Sequence, residues 1–269
     1  MKKKIVAAVA ACAALALSAC LLAGCSSSSS SASASASASA SNATKFVVGF
    51  DSEYPPYGYV GDDGKYKGFD LDLAAEVAQR NGWDFEAQAI DWNAKDSLIE
   101  AGTITCLWNG FTMEGREADY AFSEPYMNNS QVIMVKAGSD IKTEADLAGK
   151  NVLTQAGSAA ETLLEDDSAD GKAALAATFA GGKVNTIADY TNAVMQLEAG
   201  AVDAIACDSS IADYFMAQKS DTYTVAVTLS SEHYAVGFKK DNQAMADAVT
   251  KTLKEMVKDG TVAKICEKY

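Results

Sequence analysis

The stretch GFDLDLAAEV at residues 68–77 decides the fold. Phe69, Leu73 and Val77 recur at every fourth position, which is the spacing of the apolar face of a helix, and Gly82 is predicted to end that helix. Taken alone, the two acidic residues of the stretch indicate a solvated first turn that the helix dipole stabilises.

Outward from this helix, apolar strand-like segments alternate with helical patterns. Strands are predicted at residues 45–50, 85–89, 104–108, 151–154 and 202–207, and helices at residues 97–101, 190–199, 211–218 and from Ser158 onward. Such alternation is typical of α/β layers, and its restart after Asp140 predicts a second unit. Residues 100–104 and 198–202 support the division, because both run from a helix end through glycine into a strand. Ligands bind beyond the carboxyl ends of strands in such sheets, so a cleft between the units is the expected site.

The amino terminus has the layout of an export signal. Three lysines at positions 2–4 precede an apolar run at residues 5–17, which is too short and too rich in alanine for a membrane span. We predict a signal peptide at residues 1–24 and lipidation of Cys25, because Leu22-Ala23-Gly24-Cys25 is similar to the lipobox of bacterial lipoproteins. Cys20 ends a second candidate lipobox, and a plain secretory signal stays an alternative.

A tether is predicted between the signal and the fold. Residues 26–41 consist only of serine and alanine, so a flexible, lipid-anchored tether is expected at residues 25–43. Removing residues 1–24 takes away three lysines and no acid, which leaves 19 basic against 36 acidic residues and a formal charge of −17. This charge argues against nucleic acid as a partner.

Cysteine and histidine usage excludes several kinds of site. Cys106, Cys207 and Cys266 remain after the tether, and three thiols do not make a disulfide framework. Cys106 and Cys266 are predicted to pack in the interior. The single histidine, His233, is predicted to be a polar residue entering a strand, so histidine triads and multi-histidine metal sites are not expected. We predict no metal and no cofactor.

A family resemblance rests on three motifs. Residues 68–77, the run ADYAFSEPY at residues 118–126 and the run DLAGKNV at residues 146–152 are similar in content and order to the polar amino acid solute-binding proteins of ABC importers. The first motif is shared by the ligand core of ionotropic glutamate receptors. The resemblance covers residues 45–269 and implies a two-lobed periplasmic-binding-protein-like α/β fold, in which each lobe is a mixed sheet flanked by helices and a two-stranded hinge joins the lobes.

The resemblance also implies a discontinuous first lobe. Lobe 1 is expected at residues 44–135 and 232–269, and lobe 2 at residues 136–231. The crossings are expected near residues 134–137 and 229–234, where two parallel connectors would serve hinge closure.

In lobe 1, Arg116 is the expected partner of the ligand carboxylate, because its planar fork matches a carboxylate. Asn109, Gly110 and Thr112 are implied by the resemblance to add hydrogen bonds to the ammonium and carboxylate groups. Residues 108–116 are one residue shorter than the common family segment, which leaves the register of Gly110 and Thr112 less secure. A surface ion pair with Glu114 or Asp119 is the alternative role of Arg116.

In lobe 2, the resemblance implies that Ser158 and Ala159 donate backbone N–H groups to the ligand carboxylate at a helix start. Ser158 could equally be a helix N-cap that forms a capping box with Glu161. Asp208 follows the strand at residues 202–207 and is expected to pair with the ligand ammonium group. Without the family match, an N-cap role would be the more probable one for Asp208.

Selectivity for the ligand side chain is assigned to three residues around the first strand. Asp51, Glu53 and Tyr54 end that strand, and Tyr54 matches the family's ring that lies over the ligand. Trp92 falls where related receptors contact the ligand side chain, although its indole could simply pack in the core. The acids here favour a polar neutral or basic amino acid.

The function implied by the resemblance is capture of a free amino acid by hinge closure and delivery to an ABC permease and its ATPase, by a monomeric lipoprotein outside the cytoplasm. An enzyme similar to cyclohexadienyl dehydratases is the alternative, with Glu53 as the nominated acid. A sensing domain of a signalling receptor would need a spanning segment and a cytoplasmic domain, which we do not recognise in the sequence.

Overall fold

The computed structural model describes residues 43–269. The predicted signal peptide, the lipidation site at Cys25 and almost all of the predicted tether lie outside the described residues. Within residues 43–269, no helix combines the length and the apolar character that a membrane crossing requires.

The described part of the chain contains thirteen strands and eight α-helices. The strands are β1 Lys45–Phe50, β2 Glu53–Tyr54, β3 Gly58–Val60, β4 Tyr66–Lys67, β5 Asp84–Ala89, β6 Cys106–Leu107, β7 Tyr120–Phe122, β8 Met127–Lys136, β9 Val152–Gln155, β10 Asn185–Ile187, β11 Ala204–Asp208, β12 Tyr223–Tyr234 and β13 Gly237–Lys239. The helices are α1 Phe69–Asn81, α2 Lys95–Glu100, α3 Ala159–Glu165, α4 Ala173–Ala176, α5 Tyr190–Ala199, α6 Ser209–Gln218, α7 Gln243–Lys258 and α8 Thr261–Cys266. Short 3₁₀ turns lie at Trp92–Ala94, Glu144–Leu147 and Ala180–Gly182.

Two five-stranded sheets carry the fold. The first has the order β5-β1-β6-β13-β7, and the second has the order β10-β9-β11-β8-β12. In each sheet the first three strands run parallel to one another, and the last two add antiparallel pairings. Each half therefore repeats one strand–helix–strand–helix–strand plan, which confirms the predicted mixed sheets flanked by helices.

Helix α1 forms as its spacing predicts. Phe69, Leu73 and Val77 are buried on one face, and Gly82 ends the helix with a left-handed φ of 67°. The preceding Gly68 has a φ of 150°, and a Cβ built there would lie 1.9 Å from the carbonyl oxygen of Tyr57. Only glycine fits this approach, which seats α1 against the small antiparallel sheet β2-β3-β4.

The chain changes sheet twice. Strand β8 pairs with β11 and β12, so the chain passes from the first sheet to the second between residues 122 and 127. It returns between residues 234 and 237, where β12 gives way to β13. The predicted crossing at residues 134–137 differs from this arrangement, because the apolar end of β8 is a fully paired strand of the second sheet. The second predicted crossing, residues 229–234, lies in the last part of β12.

The free thiols divide into buried and exposed. Cys106 and Cys207 are buried in β6 and β11, whereas Cys266 is exposed. The prediction that Cys266 packs in the interior was wrong, because it lies in the last turn of the amphipathic helix α8, not in an apolar strand. Among residues 43–269 the three thiols form no disulfide.

Candidate ligand-binding site

A small cavity lies where the carboxyl ends of β1, β6, β9 and β11 meet between the two sheets. Nine of the ten residues that the sequence predicted for the ligand site line it, namely Tyr54, Trp92, Asn109, Gly110, Thr112, Arg116, Ser158, Ala159 and Asp208. Phe111 and Gln155 complete the lining, and neither was predicted. The tenth predicted residue, Asp51, is not among the lining residues.

Asp208 is a buried acceptor at the end of β11. Its Oδ1 atom accepts hydrogen bonds from Asn129 Nδ2 at 2.8 Å and from Gln131 Nε2 at 2.7 Å. Its Oδ2 atom accepts one from the Tyr54 hydroxyl at 2.6 Å, which crosses between the sheets. Asp208 precedes α6 but makes no side-chain capping bond to it, so the alternative N-cap role is not seen.

A second acid, Glu232, lies beside Asp208 and was missed from the sequence. Its Oε1 atom accepts hydrogen bonds from Thr112 Oγ1 at 2.6 Å and from the same two amides, Asn129 and Gln131, at 2.7 Å each. Burial and, to a smaller extent, the nearby charge of Asp208 raise the pKa of Glu232 to about 7. A second carboxyl group therefore lies behind the cavity wall, bonded to Thr112 of the lining and sharing two amides with Asp208.

Arg116 supplies the opposite charge. Its Nη1 atom donates to the carbonyl oxygen of Thr112 at 3.0 Å, and its guanidinium carbon lies 4.8 Å from the centroid of the Phe111 ring. Among residues 43–269 no carboxylate forms a salt bridge with Arg116, and Glu114 contacts His233 instead. The surface ion pair considered from the sequence is therefore not formed. Burial lowers the pKa of Arg116, but an arginine remains charged in proteins.

Asp70, in the first turn of α1, holds the loop after β6 by a hydrogen bond to its backbone. Asp70 Oδ2 accepts hydrogen bonds from the Gly110 amide at 2.6 Å and from the Tyr126 hydroxyl at 2.7 Å. Asp70 is fully buried, so the expectation of a solvated first turn was wrong for this residue. Burial raises the pKa of Asp70 to about 7. Because the Gly110 N–H is already used, Gly110 presents only its carbonyl group to a ligand.

Gly110 also makes room for aromatic rings. Its φ is 59°, and a Cβ built there would lie 3.0 Å from Tyr54 Cε1 and 3.1 Å from Tyr234 Cε2. A larger residue would therefore be strained and crowded at this position. Asn109 precedes it and accepts a hydrogen bond from the Asp51 amide at 2.8 Å, which ties the ends of β1 and β6 together.

Asp51 acts between the two halves. Its Oδ2 atom accepts a hydrogen bond from Gln155 Nε2 at 2.5 Å, and its Oδ1 atom accepts one from the Glu53 amide at 2.8 Å. Burial raises the pKa of Asp51. The structure thus uses this carboxylate to join β1 to the end of β9. The side chain of Glu53, the acid nominated for the enzyme alternative, is exposed and does not line the cavity.

The start of α3 borders the cavity from the second half. Ser158 Oγ accepts from the Glu161 amide at 3.1 Å, so Ser158 is the N-cap of α3. Glu161 Oε2 accepts from the Gly157 amide at 2.6 Å, one residue before the position expected in a capping box. The Ser158 amide donates to the Gln155 carbonyl at 3.2 Å, whereas Ala159 contributes a first-turn N–H that has no acceptor within the helix.

Lys95 links the first half to this turn. Its Nζ atom donates to the Gly157 carbonyl at 3.0 Å and lies 5.7 Å from the centroid of the Trp92 ring. Trp92 packs edge-on against Phe111, with ring centroids 5.7 Å apart. Trp92 is therefore a packed core residue that also forms part of the cavity wall, and its contact with a ligand side chain stays a prediction.

A second, more apolar groove lies away from this cavity. It runs between α1, residues 124–126 and α7, with a floor that includes Phe69, Leu73 and Leu253. Its charges lie at the exposed rim, where Lys254 pairs with Glu124. A buried carboxylate, Asp208, and a partly buried guanidinium, Arg116, are found at the first cavity, so that cavity is the candidate for a small charged ligand. Among residues 43–269 no cluster of three or more His, Cys, Asp or Glu side chains is arranged to hold a metal ion.

Two mixed sheets with a polar cavity at their facing strand ends define a two-lobed α/β binding protein. The chain belongs to the family of bacterial extracellular solute-binding proteins, family 3, whose sequence profile matches residues 46–269. This finding confirms the family resemblance predicted from the three motifs.

Named relatives and solved structures agree with this assignment. The chain is 28% identical over 227 residues to the L-cystine-binding protein TcyJ of Escherichia coli (strain K12), covering 83% of this chain and 81% of that protein. It is 26% identical to the arginine-binding extracellular protein ArtP of Bacillus subtilis (strain 168), covering 100% and 98%. An ABC uptake transporter substrate-binding protein from Streptococcus pneumoniae with bound histidine matches with a TM-score of 0.79 and 31% identity, covering 84% of this chain and 92% of that one.

Proposed function

We propose that this protein is the substrate-binding lipoprotein of an ABC-type amino acid importer. The observation that carries the proposal is the pairing of charges at one cavity. Arg116 faces it without a carboxylate partner among the described residues, and Asp208 faces it as a buried carboxylate. A free amino acid carries the complementary carboxylate and ammonium groups.

The ligand carboxylate would take the remaining N–H groups of Arg116 as a paired fork, with the first-turn amide of Ala159 as a further donor. Ser158 would mainly hold this turn, because its own amide already donates to Gln155. The ammonium group would donate to Asp208, to the Gly110 carbonyl and to the Thr112 hydroxyl. Tyr54 would lie over the ligand, and Trp92 would contact its side chain.

Ligand capture would proceed by a shift toward the closed form. The donors to the ligand carboxylate come from both lobes, Arg116 from the first and Ala159 from the second. The acceptors of the ammonium group are divided in the same way, so a ligand bridges all of them only when the lobes are together. Hydrogen bonds already cross between the halves at Tyr54, Gln155 and Lys95. We propose that the two lobes move about the segments that join the sheets, between residues 122 and 127 and between residues 234 and 237, and that the permease recognises the closed form.

The ligand class we propose is a polar neutral or basic amino acid. Asp208 lines the cavity opposite one arginine, and Glu232 and Asp51 lie just behind its wall. Excess negative charge disfavours an acidic side chain. The named relatives bind cystine and arginine, and a related solved structure holds histidine. Arginine and histidine have no acidic side chain, and the carboxylates of cystine are both α-carboxylates.

We further propose that the mature chain starts at a lipidated Cys25 and is held outside the cytoplasm as a monomer, with residues 26–41 as the tether. The intact mass of protein purified from the membrane fraction tests the anchor. Cys25→Ala should shift the protein to the soluble extracytoplasmic fraction, and Cys20→Ala should leave it in the membrane. The reverse pattern would assign the anchor to Cys20.

A thermal-shift screen of the mature protein against the twenty amino acids and L-cystine tests the main proposal. Stabilisation by a polar neutral or basic amino acid is expected, followed by a heat of binding in titration calorimetry. No shift and no heat with any of these ligands would reject the proposal. Incubation with prephenate or arogenate addresses the enzyme alternative, and product formation that Glu53→Gln abolishes would favour it.

A further inference from the structure

Glu232 and Asp208 share the same two amide groups. Asn129 Nδ2 donates to Asp208 Oδ1 at 2.8 Å and to Glu232 Oε1 at 2.7 Å. Gln131 Nε2 donates to the same two oxygens at 2.7 Å each. Each carboxyl group thus takes one N–H from each amide, and the two acceptor oxygens lie no more than two hydrogen-bond lengths apart.

Two buried carboxylates this close repel each other, and burial penalises each charge as well, so the pair holds a proton more readily than separate acids do. A ligand ammonium group at Asp208 would supply a positive charge that offsets the repulsion. We propose that Glu232 is a positioning residue that fixes Asp208 through Asn129 and Gln131 and that releases a proton when an amino acid binds. This inference rests on the proposed function.

The proton has a source and a route. The O–H bond of the neutral Glu232 carboxyl group breaks, its electron pair stays on the carboxylate, and the proton leaves to solvent. Glu232 also lines a wider cleft that opens beside the cavity, so the proton need not pass through the ligand. When ionised, Glu232 accepts a hydrogen bond from the Thr112 hydroxyl, with 2.6 Å between Oγ1 and Oε1. The Thr112 oxygen then has a lone pair free to accept a hydrogen bond from the ammonium group.

Other charged groups face this pair and are included in the test. From the first half they are Arg116 and Glu114, from β12 itself His233, and across the wider cleft Asp166, Asp170 and Lys172. Asp70 lies under Gly110 and is the other buried acid with a pKa raised to about 7. Burial also raises the pKa of Asp51, so the test separates Glu232 from Asp51, Asp70 and His233.

The sign of the effect follows from the raised pKa of Glu232, which burial and the Asp208 charge bring to about 7. The ammonium ion favours the ionised form, so the pKa falls on binding and a proton is released. Affinity should therefore rise with pH by up to about tenfold per unit below pH 7 and level off above it.

Titration calorimetry of the mature protein with L-arginine and L-glutamine measures the released proton directly, because neither side chain titrates between pH 5 and 7.5. At pH 7, the binding heat in buffers of different ionisation enthalpy should indicate release of about half a proton. Glu232→Gln should reduce this number to near zero and flatten the pH profile of Kd. Asp170→Asn, which removes an exposed acid of the wider cleft, is the matched control and should keep the full linkage.

The possible outcomes distinguish a failure of the role of Glu232 from a failure of the receptor function. Binding heat without proton release in the wild-type protein overturns the role of Glu232 and leaves the receptor function intact. Proton release that survives in Glu232→Gln also overturns it and assigns the linkage to another titratable group, which the buffer series on His233→Gln, Asp70→Asn and Asp51→Asn identifies. Absence of any heat with every amino acid rejects the receptor function and this inference together. If Glu232→Gln fails to fold, the buffer series on Asp70→Asn, Asp51→Asn and His233→Gln decides, because linkage abolished by one of these changes overturns the role of Glu232.

Discussion

The two halves of the molecule repeat one sheet plan, but the charged group that each half places at the cavity differs in how many hydrogen bonds hold it. In the second half, Asp208 is held by Asn129, Gln131 and, across the cleft, Tyr54, so its position is set before any ligand arrives. In the first half, Arg116 has one backbone acceptor, an aromatic ring beneath it and no carboxylate partner among residues 43–269. The anion is fixed, whereas the cation keeps its hydrogen-bonding capacity.

This difference follows from the cost of burying each kind of charge. A carboxylate in a closed site needs several donors, and amides supply them without adding charge. A guanidinium group is more weakly hydrated than an ammonium group and packs well on an aromatic ring. Arg116 can therefore lie at the cavity with most of its N–H donors unpaired before a ligand binds. We therefore expect changes in the second half to cost more than conservative changes in the first.

The largest loss is expected from Asp208→Asn. This change removes the negative charge that faces the ammonium group and leaves two amide donors with a poorer acceptor. Truncating one side of a buried charge pair costs about 2–5 kcal/mol, so the Kd should rise by about 300-fold. Titration calorimetry measures it, and Asp213→Asn, on the exposed side of α6, is the matched control. A loss below tenfold would contradict the assigned role of Asp208.

A smaller loss is expected from Arg116→Lys. The charge is kept, but the paired fork and the planar contact with Phe111 are lost, and the shorter ammonium group attracts the carboxylate only as a point charge. The Kd should rise by about 50-fold, which corresponds to about 2.3 kcal/mol. Lys183→Arg, away from the cavity, is a control for the reverse exchange. If Arg116→Lys binds as tightly as the wild type, the fork is not used.

Asp70→Asn tests how the first half is held. The pKa of Asp70 is raised to about 7 in the folded state, so the folded state keeps this proton longer than the unfolded chain. The resulting stabilisation is present below about pH 4 and is lost as pH rises through 7, which for one group amounts to about 3 kcal/mol between pH 5 and 8. The variant should therefore gain stability relative to the wild type as pH rises.

Urea unfolding at pH 5, 6, 7 and 8 checks this difference. Asp72→Asn is the matched control, because Asp72 lies in the same helical turn with a partly exposed side chain that pairs with Lys268. A stability gap between Asp70→Asn and wild type that does not change with pH would show that Asp70 is ionised throughout.

Much of the fold could be predicted from periodicity. The helix pattern of residues 69–82 and the strand at residues 45–50 appear with the predicted bounds, because one apolar period dominates each segment. The strand at residues 104–108 is reduced to Cys106–Leu107, since the chain bends at once into the loop that carries Asn109 and Gly110. The crossing was misplaced because the long apolar β8 carries no signal that tells which sheet it joins.

The site was predicted only where the family motifs point. Asp70 was missed because an acid in the first turn of an amphipathic helix suits exposure equally well, and its partner Gly110 is 40 residues away. Glu232 was missed because residues 229–234 were interpreted as a crossing. Burial alternates there, with Glu232 and Tyr234 inside and His233 outside, so a strand period counted back from Tyr234 would have placed Glu232 in the interior.

The smallest loss is expected from Lys95→Met, which concerns a contact that the protein makes between its own halves. Lys95 is buried in the first half, and its Nζ atom donates to the Gly157 carbonyl of the second half at 3.0 Å. In an open form that carbonyl would be solvated, so the bond stabilises only the closed form. Methionine keeps the length and the contact with Trp92 but leaves the carbonyl unpaired on closure.

Losing one such bond should weaken ligand binding by about fivefold, or about 1 kcal/mol, without lowering the stability of the ligand-free protein by a comparable amount. Because the contact acts after the lobes meet, the change should appear mainly as faster ligand dissociation in stopped-flow measurements. Lys45→Met, which removes an exposed pair with Glu86, is the matched control and should leave the dissociation rate unchanged. A slower association with unchanged dissociation would instead place Lys95 in the first encounter with the ligand, as an electrostatic guide beside Arg116.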